Sequence, residues 1–300
     1  MRYEDIDALN YSYLKLLEVS PAYAKHMWDH PEERGDTPAF KRGRLIHCAC
    51  LEPEEIDKRY IVPPIFENCA ILPDGTILPQ PYFGDLRFKG PKTDRNQWLL
   101  SLPDGSKAMS AKEFEREWYE NLEDVEVISG DDRRLAMRCR ESLYNNPYID
   151  HIMTGADTEK VIEVTMGGVK CKMRLDFITN RVGDLKTTRK LTRDECEREA
   201  VRFNYHVQIA WYHDGAVEAG LIKGDVPPVI IFICIDPNST FIDIIPFEIH
   251  EGVLAAGRAR YQLLLAQYKG FRKMDYWPGD GEKMHILDLP DWKMKEDFGE

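Results

Sequence analysis

Asp176-Phe177-Ile178-Thr179-Asn180-Arg181-Val182-Gly183-Asp184-Leu185-Lys186 places two carboxylates and a lysine on what reads as a tight β-hairpin. The run leading into it, Val169 to Phe177, alternates apolar and polar residues, the period of a half-buried strand. Val169, Cys171, Met173, Leu175 and Phe177 form its apolar face, and Asp176 falls on the other. Asn180-Arg181 can turn the chain, and Val182 to Thr187 reads as the partner strand. Asp184 and Lys186 are two apart in that strand, so they project from one face. Folding back brings Asp176 within reach of them. Two carboxylates suit a hard divalent cation, and a nearby ammonium suits a positioned water or a phosphorane-like charge. An exposed hairpin with ordinary surface charges is the competing reading, and a lysine two residues from an acid is commonly just its salt-bridge partner.

Working outward, the downstream segment begins with the capping box Thr192-Arg-Asp-Glu195, which predicts a helix running to about Gly220. Val229-Ile-Ile-Phe-Ile-Cys-Ile235 is a nearly continuous apolar run and suits a central strand covered on both faces. Phe241 to Phe247 reads as its antiparallel neighbour, and a helix continues from about Gly252 to Tyr268. Upstream, Val161 to Met166 reads as a strand joined to the next by the Gly167-Gly168 turn. Ser110-Ala-Lys-Glu113 opens a short helix, and Ser129-Gly-Asp-Asp132 opens another with Leu135, Cys139 and Leu143 on one face.

Residues 8 to 30 look helical, with Ser20-Pro21 as a helix start. Pro38 to Cys50 predicts a helix carrying the basic cluster Lys41, Arg42 and Arg44; its Gly43 costs stability unless something packs closely there. Residues 61–105 are broken by seven prolines and read as a long loop or a small β-rich insertion. The expected organisation is one domain over 1–300. It comprises N-terminal helices to residue 60, the Pro-rich insertion, helices and an αβ core over 106–270, and an irregular tail over 271–300. The order of elements argues for an α/β (α+β) fold, a mixed central sheet flanked by helices.

The composition, 43% hydrophobic and 31% charged, is that of a globular protein, and no apolar run approaches the ~20 residues of a membrane span. The first residues lack a signal-peptide core, so a cytoplasmic location without membrane partners is expected. The seven cysteines are scattered and form no CxxC pair, which argues against a zinc ribbon or an iron–sulfur cluster. A net charge of −12 argues against a surface coated with nonspecific nucleic-acid affinity, though a local basic channel remains compatible with a nuclease.

At Asp184-Leu185-Lys186 the chain resembles the PD-(D/E)xK nuclease superfamily, most of all the RecE-type exonucleases, relatives of phage lambda exonuclease and the RecB nuclease domain. The likeness extends to Ser20-Pro21 and to Gly43-x-x-x-His47. It continues through Arg174-Leu175-Asp176, Gly183-Asp184-Leu185-Lys186-Thr-Thr and Gln208-x-x-x-Tyr212, to Trp277-Pro-Gly and Leu289-Pro-x-Trp292. It implies a restriction-endonuclease-like core. Asp176, Asp184, the Leu185 carbonyl and His47 would hold Mg²⁺ or Mn²⁺. Lys186 would orient the attacking water or steady the pentavalent transition state, and Gln208 and Tyr212 would contact the nucleic-acid end or brace the site. Asp184 stands where glutamate is common in the superfamily, and Glu163 is the candidate for a further acidic residue.

The same likeness implies a Mg²⁺-dependent exodeoxyribonuclease, acting 5′→3′ on linear double-stranded DNA ends in recombination or phage-type DNA metabolism. A homo-oligomeric ring and a single-strand annealing partner go with it. Candidate DNA contacts are Lys41, Arg42, Arg44, Arg133 and Arg189. The alternatives are an endonuclease or single-strand nuclease of the same superfamily, or a non-catalytic DNA-end-binding module. The intact Asp176, Asp184 and Lys186 set argues against the last.

Overall fold

The computed structural model describes residues 3–33, 35–79, 102–282, 284–287 and 293. Residues 80–101 of the Pro-rich stretch and the Leu289-Pro-x-Trp292 motif lie outside them. The chain divides into two compact units, Met1–Pro53 with Leu135–Glu300, and Glu54–Arg134.

The larger unit is built on five strands: β1 (Asp157–Met166), β2 (Val169–Ile178), β3 (Val182–Thr188), β4 (Val229–Ile235) and β5 (Ile242–Glu248). Their spatial order is β5-β4-β3-β2-β1. Only the β3–β4 pair is parallel, so the sheet is mixed. Gly167 and Gly168 both take positive φ, 53° and 77°, which lets two residues close the β1–β2 hairpin. The β2–β3 pairing covers only Phe177↔Gly183 and Ile178↔Val182, after which the strands diverge. Gly183 is required there, because a Cβ would lie 1.8 Å from Cζ of Phe177, a fully buried ring. The interior strand β4, second from the β5 edge, is buried along nearly its whole length, as its unbroken apolar run predicts.

Five helices of this unit surround or brace the sheet: α1 (Pro21–Asp29), α2 (Pro38–Leu51), α3 (Arg193–Arg202), α4 (Tyr205–Glu218) and α5 (Glu251–Met274). Ser20 and Thr37 cap α1 and α2 through their hydroxyls, each succeeded by proline at the first position. The single helix expected from Thr192 to Gly220 is two helices. Asn204 adopts a left-handed φ of 56° and breaks the run between them, a conformation asparagine tolerates better than most residues, and its side-chain amide donates to Glu18 Oε2 at 2.8 Å. The helical stretch over residues 8–30 is likewise interrupted, by a 3₁₀ turn at Lys15–Glu18. Trp211, Phe177, Phe232, Met173 and Leu185 are among the fully buried side chains of the core. All seven cysteines are buried free thiols.

The smaller unit is wider than the 61–105 stretch. Cys69–Ile71 forms the middle of a three-stranded antiparallel sheet between Ile77–Pro79 and Lys107–Met109. The strand at 107–109 completes that sheet, and residues 106–134 fall within this smaller unit. A cluster of Cys69, Met109 and Phe114 packs beneath it, Phe114 coming from the Ser110-capped helix Ala111–Glu120. No helix among the described residues is long and apolar enough to cross a membrane.

Candidate active site

The site begins where β2 and β3 part. There the Leu185 backbone N–H has no strand partner on the β2 side and donates instead to Asp176 Oδ2 at 2.7 Å. The carboxylate thereby replaces a ladder bond and is held at the fork. Next along β3, Asp184 is 2% exposed and accepts from Lys186 Nζ at 2.7 Å. The Lys186 ammonium also stands 4.8 Å from the centre of the Tyr205 ring, on the first turn of α4. The expected hairpin thus brings both carboxylates and the lysine together.

Helix α2 supplies His47. Its Nδ1 lies 3.6 Å from Asp176 Oδ2, and its ring is hydrogen-bonded to the Leu185 backbone. The His47 side chain stays 26% exposed, leaving an opening to the donors. Helix α4 supplies Gln208 and Tyr212, one turn apart, with Gln208 Nε2 donating to Tyr212 Oη at 2.9 Å. That helix is clamped by α5. Asp214 accepts two bonds from Arg258, both at 2.6 Å, and one from Tyr261 Oη at 2.6 Å.

Electrostatics couple these groups. Burial raises the Asp184 pKa to about 6, a shift that Lys186 opposes and Asp176 reinforces. Burial likewise raises Asp176, against the pull of Lys186 and Arg174. His47 is pushed down to about 4, by burial first and then by Lys186, so it is neutral at pH 7 with a lone pair available. Burial acts to lower Lys186, but Asp184 and Asp176 outweigh it and the ammonium is raised. Tyr212 is raised well above its ordinary value by burial and by the two aspartates.

One residue of the site was missed. His47, Glu159 and Asp176 each offer a ligand atom, and these three lie within 4.8 Å of one another. Glu163, the sequence candidate for a further acid, is exposed and sits opposite Lys172 in the β1–β2 register, four positions along β1 from Glu159. The signal was weak because Glu159 breaks strand regularity, with φ of 49° while its neighbours Thr158 and Lys160 pair normally with Phe177 and Leu175. A non-glycine residue held in that region is uncommon and concentrates at functional sites. Its carboxylate also accepts from Arg174 Nε at 2.9 Å.

The donor set fits a hard divalent cation: two or three carboxylate groups, a neutral imidazole and the Leu185 backbone, all half-buried or buried. The carboxylates at the fork are raised by burial first, against the pull of Lys186. Of the other sequence candidates, Lys41, Arg42 and Arg44 lie on α2, one to two turns before His47, and Arg44 is engaged bidentately by Asp36 at 2.6 Å. Arg189 is exposed just past β3. Arg133 belongs to the smaller unit and pairs with Asp57 at 2.5 Å.

Residues 10–290 match the profile of a PDDEXK-like domain of unknown function (DUF3799). A search of curated proteins finds no match. Among solved structures, the chain is similar to a protein from Eubacterium rectale described as a candidate exonuclease. The identity is 12%, with a TM-score of 0.55, over 98% of this chain and 94% of that one. That likeness speaks for the fold alone. Another structure, of SSO0001, is 17% identical over 45% of this chain and 67% of that one, with a TM-score of 0.21. With the profile spanning nearly the whole sequence and the fork of β2 and β3 carrying Asp176, Asp184 and Lys186, the chain belongs to the PDDEXK-like domain family and has the restriction-endonuclease-like core of the PD-(D/E)xK nucleases.

Proposed function

We propose that the protein is a divalent-metal-dependent deoxyribonuclease. The observation that carries this reading is the meeting of His47, Asp176, Asp184 and Lys186 at one buried fork, with Glu159 beside it. A divalent cation, Mg²⁺ or Mn²⁺, would supply Lewis acidity there, polarising a phosphodiester and easing deprotonation of a water. Asp176, Asp184, His47 and the Leu185 carbonyl would hold it. Lys186, which burial acts to lower but Asp184 and Asp176 raise on balance, would donate hydrogen bonds and steady developing negative charge. Tyr212, raised well above its ordinary value by burial and the two aspartates, is a donor or a brace, and Gln208 donates to its hydroxyl.

The finer reading is a 5′→3′ exonuclease on linear duplex DNA serving recombination or phage-type DNA metabolism. A closed homo-oligomeric ring would reconcile a net charge of −12 with a polyanionic substrate, and a single-strand annealing protein is the partner that the resemblance implies. Lys41, Arg42, Arg44, Arg133 and Arg189 are the proposed DNA contacts under that reading. The test compares end-labelled linear duplex with covalently closed circles in Mg²⁺ or Mn²⁺, with Asp184→Asn as control. Loss of linear substrate with circles intact is expected. Rapid nicking of circles makes the enzyme an endonuclease, and no cleavage of either by the folded protein overturns the nuclease reading.

A further inference from the structure

We propose that a groove at the far end of β2 binds the phosphodiester backbone of the strand whose scissile bond lies at Asp176. This rests on the nuclease reading above and gives the substrate a path. Strand β2 alternates, so the side that bears Asp176 also bears Arg174, Lys172 and Lys170. At ~3.3 Å per residue, that row reaches ~20 Å from the carboxylate. At its end a groove of about 1130 Å³ opens within the same compact unit, lined by Lys170 and, from the last turns of α5, by Lys269, Arg272 and Lys273.

The groove has two unlike walls. Its cations come from β2 and α5. Its carboxylates, Glu4, Asp5 and Asp7, all come from the N-terminal segment. Lys172 ties that segment down: its buried ammonium donates to the carbonyls of Tyr3 and Ile6 at 2.8 Å each and lies 4.6 Å from the centre of the Tyr3 ring. Lys172 is therefore structural, and the acidic wall confines a polyanion to the opposite, basic side. Tyr268 and Trp28 also line the groove, their rings 5.4 Å apart edge to face, and aromatic rings beside cations are what a single strand's bases and phosphates take up together. Between groove and metal donors stands Arg174, about half exposed, placed by Glu159 at 2.9 Å and lying over the Tyr3 ring at 5.4 Å. Its planar fork matches a phosphate.

The test uses the full chain with Lys170→Glu and Lys273→Glu, singly and together, neither residue being part of the metal site. Binding of a long DNA oligonucleotide is titrated over a salt series in Ca²⁺. Mn²⁺ binding is tracked by electron paramagnetic resonance, and hydrolysis of bis(p-nitrophenyl) phosphate, too small to span the groove, is measured in parallel. The double variant is expected to bind DNA at least tenfold more weakly, with a log–log salt slope shallower by about 1.5 to 2. Mn²⁺ binding and small-diester hydrolysis should be unchanged. Lys→Gln at both positions replaces charge reversal if the latter unfolds the chain. Unaltered DNA affinity and slope in a variant that retains both control activities overturn the groove. A wild-type protein that neither binds DNA nor hydrolyses either substrate overturns the nuclease reading itself.

Discussion

Asp176 accepts the Leu185 N–H at 2.7 Å where strands β2 and β3 diverge. The aspartate caps an amide left unpaired where β2 and β3 diverge, and Asp184 and Lys186 flank that amide on β3.

Asp184→Asn is expected to reduce cleavage by at least a thousandfold, since ~4 kcal/mol of transition-state stabilisation goes with a lost metal carboxylate. Without metal its melting temperature should equal or exceed the wild type's, because a buried carboxylate raised to about 6 is removed. A folded variant with wild-type turnover would remove Asp184 from the site.

The stability of the metal-free protein should depend on pH through two opposed groups. His47 has a folded pKa of about 4 against 6.5. Between those values the unfolded chain binds its proton and the folded chain does not, so stability rises with pH. Asp184 has a folded pKa of about 6 against 3.8, so the folded chain holds the extra proton and stability falls with rising pH in that window. The slopes nearly cancel. Melting curves in EDTA should therefore show Asp184→Asn gaining stability from pH 4 to 6.5, and His47→Gln losing it from pH 4 to 6. Parallel curves for both variants would refute the coupling.

Glu159→Gln should weaken Mn²⁺ binding about tenfold, ~1.4 kcal/mol, as read by titration calorimetry. Arg174→Gln separates the two roles of this carboxylate. If Glu159 faces the cation, removing its competitor leaves Mn²⁺ binding as tight or tighter. An equal loss in both variants would make Glu159 only an anchor for Arg174.

Gly183→Ala should destabilise the fold by about 3 kcal/mol or more, since its Cβ would overlap the Phe177 ring at 1.8 Å. Phe177→Leu, costly alone, should recover part of that loss in the double variant. Additive melting shifts would show that the clash relaxes elsewhere.

The sequence by itself determined the elements that local periodicity and turn chemistry dictate. The alternation through Val169–Phe177, the Gly167-Gly168 turn, the apolar run Val229–Ile235 and the hydroxyl caps before Pro21 and Pro38 each specify a strand, turn or helix from neighbours in the chain. Asp184 and Lys186 share a face for the same reason, since two residues along a strand is one pleat. The tertiary structure alone decided what depends on distant chain. His47 lies 129 positions before Asp176 (176 − 47), yet reaches it at 3.6 Å because α2 packs by the fork. Asn204 broke a helix that propensity ran straight through, because its left-handed turn redirects α4 towards the sheet. Glu159 joined the donors in place of Glu163 through a backbone conformation that no two-residue period encodes. Lys107–Met109 pairs with Cys69–Ile71, a partner distant in the chain that no local period encodes. Period and propensity act over a few residues; which of their products meet is settled only by the packing that buries them.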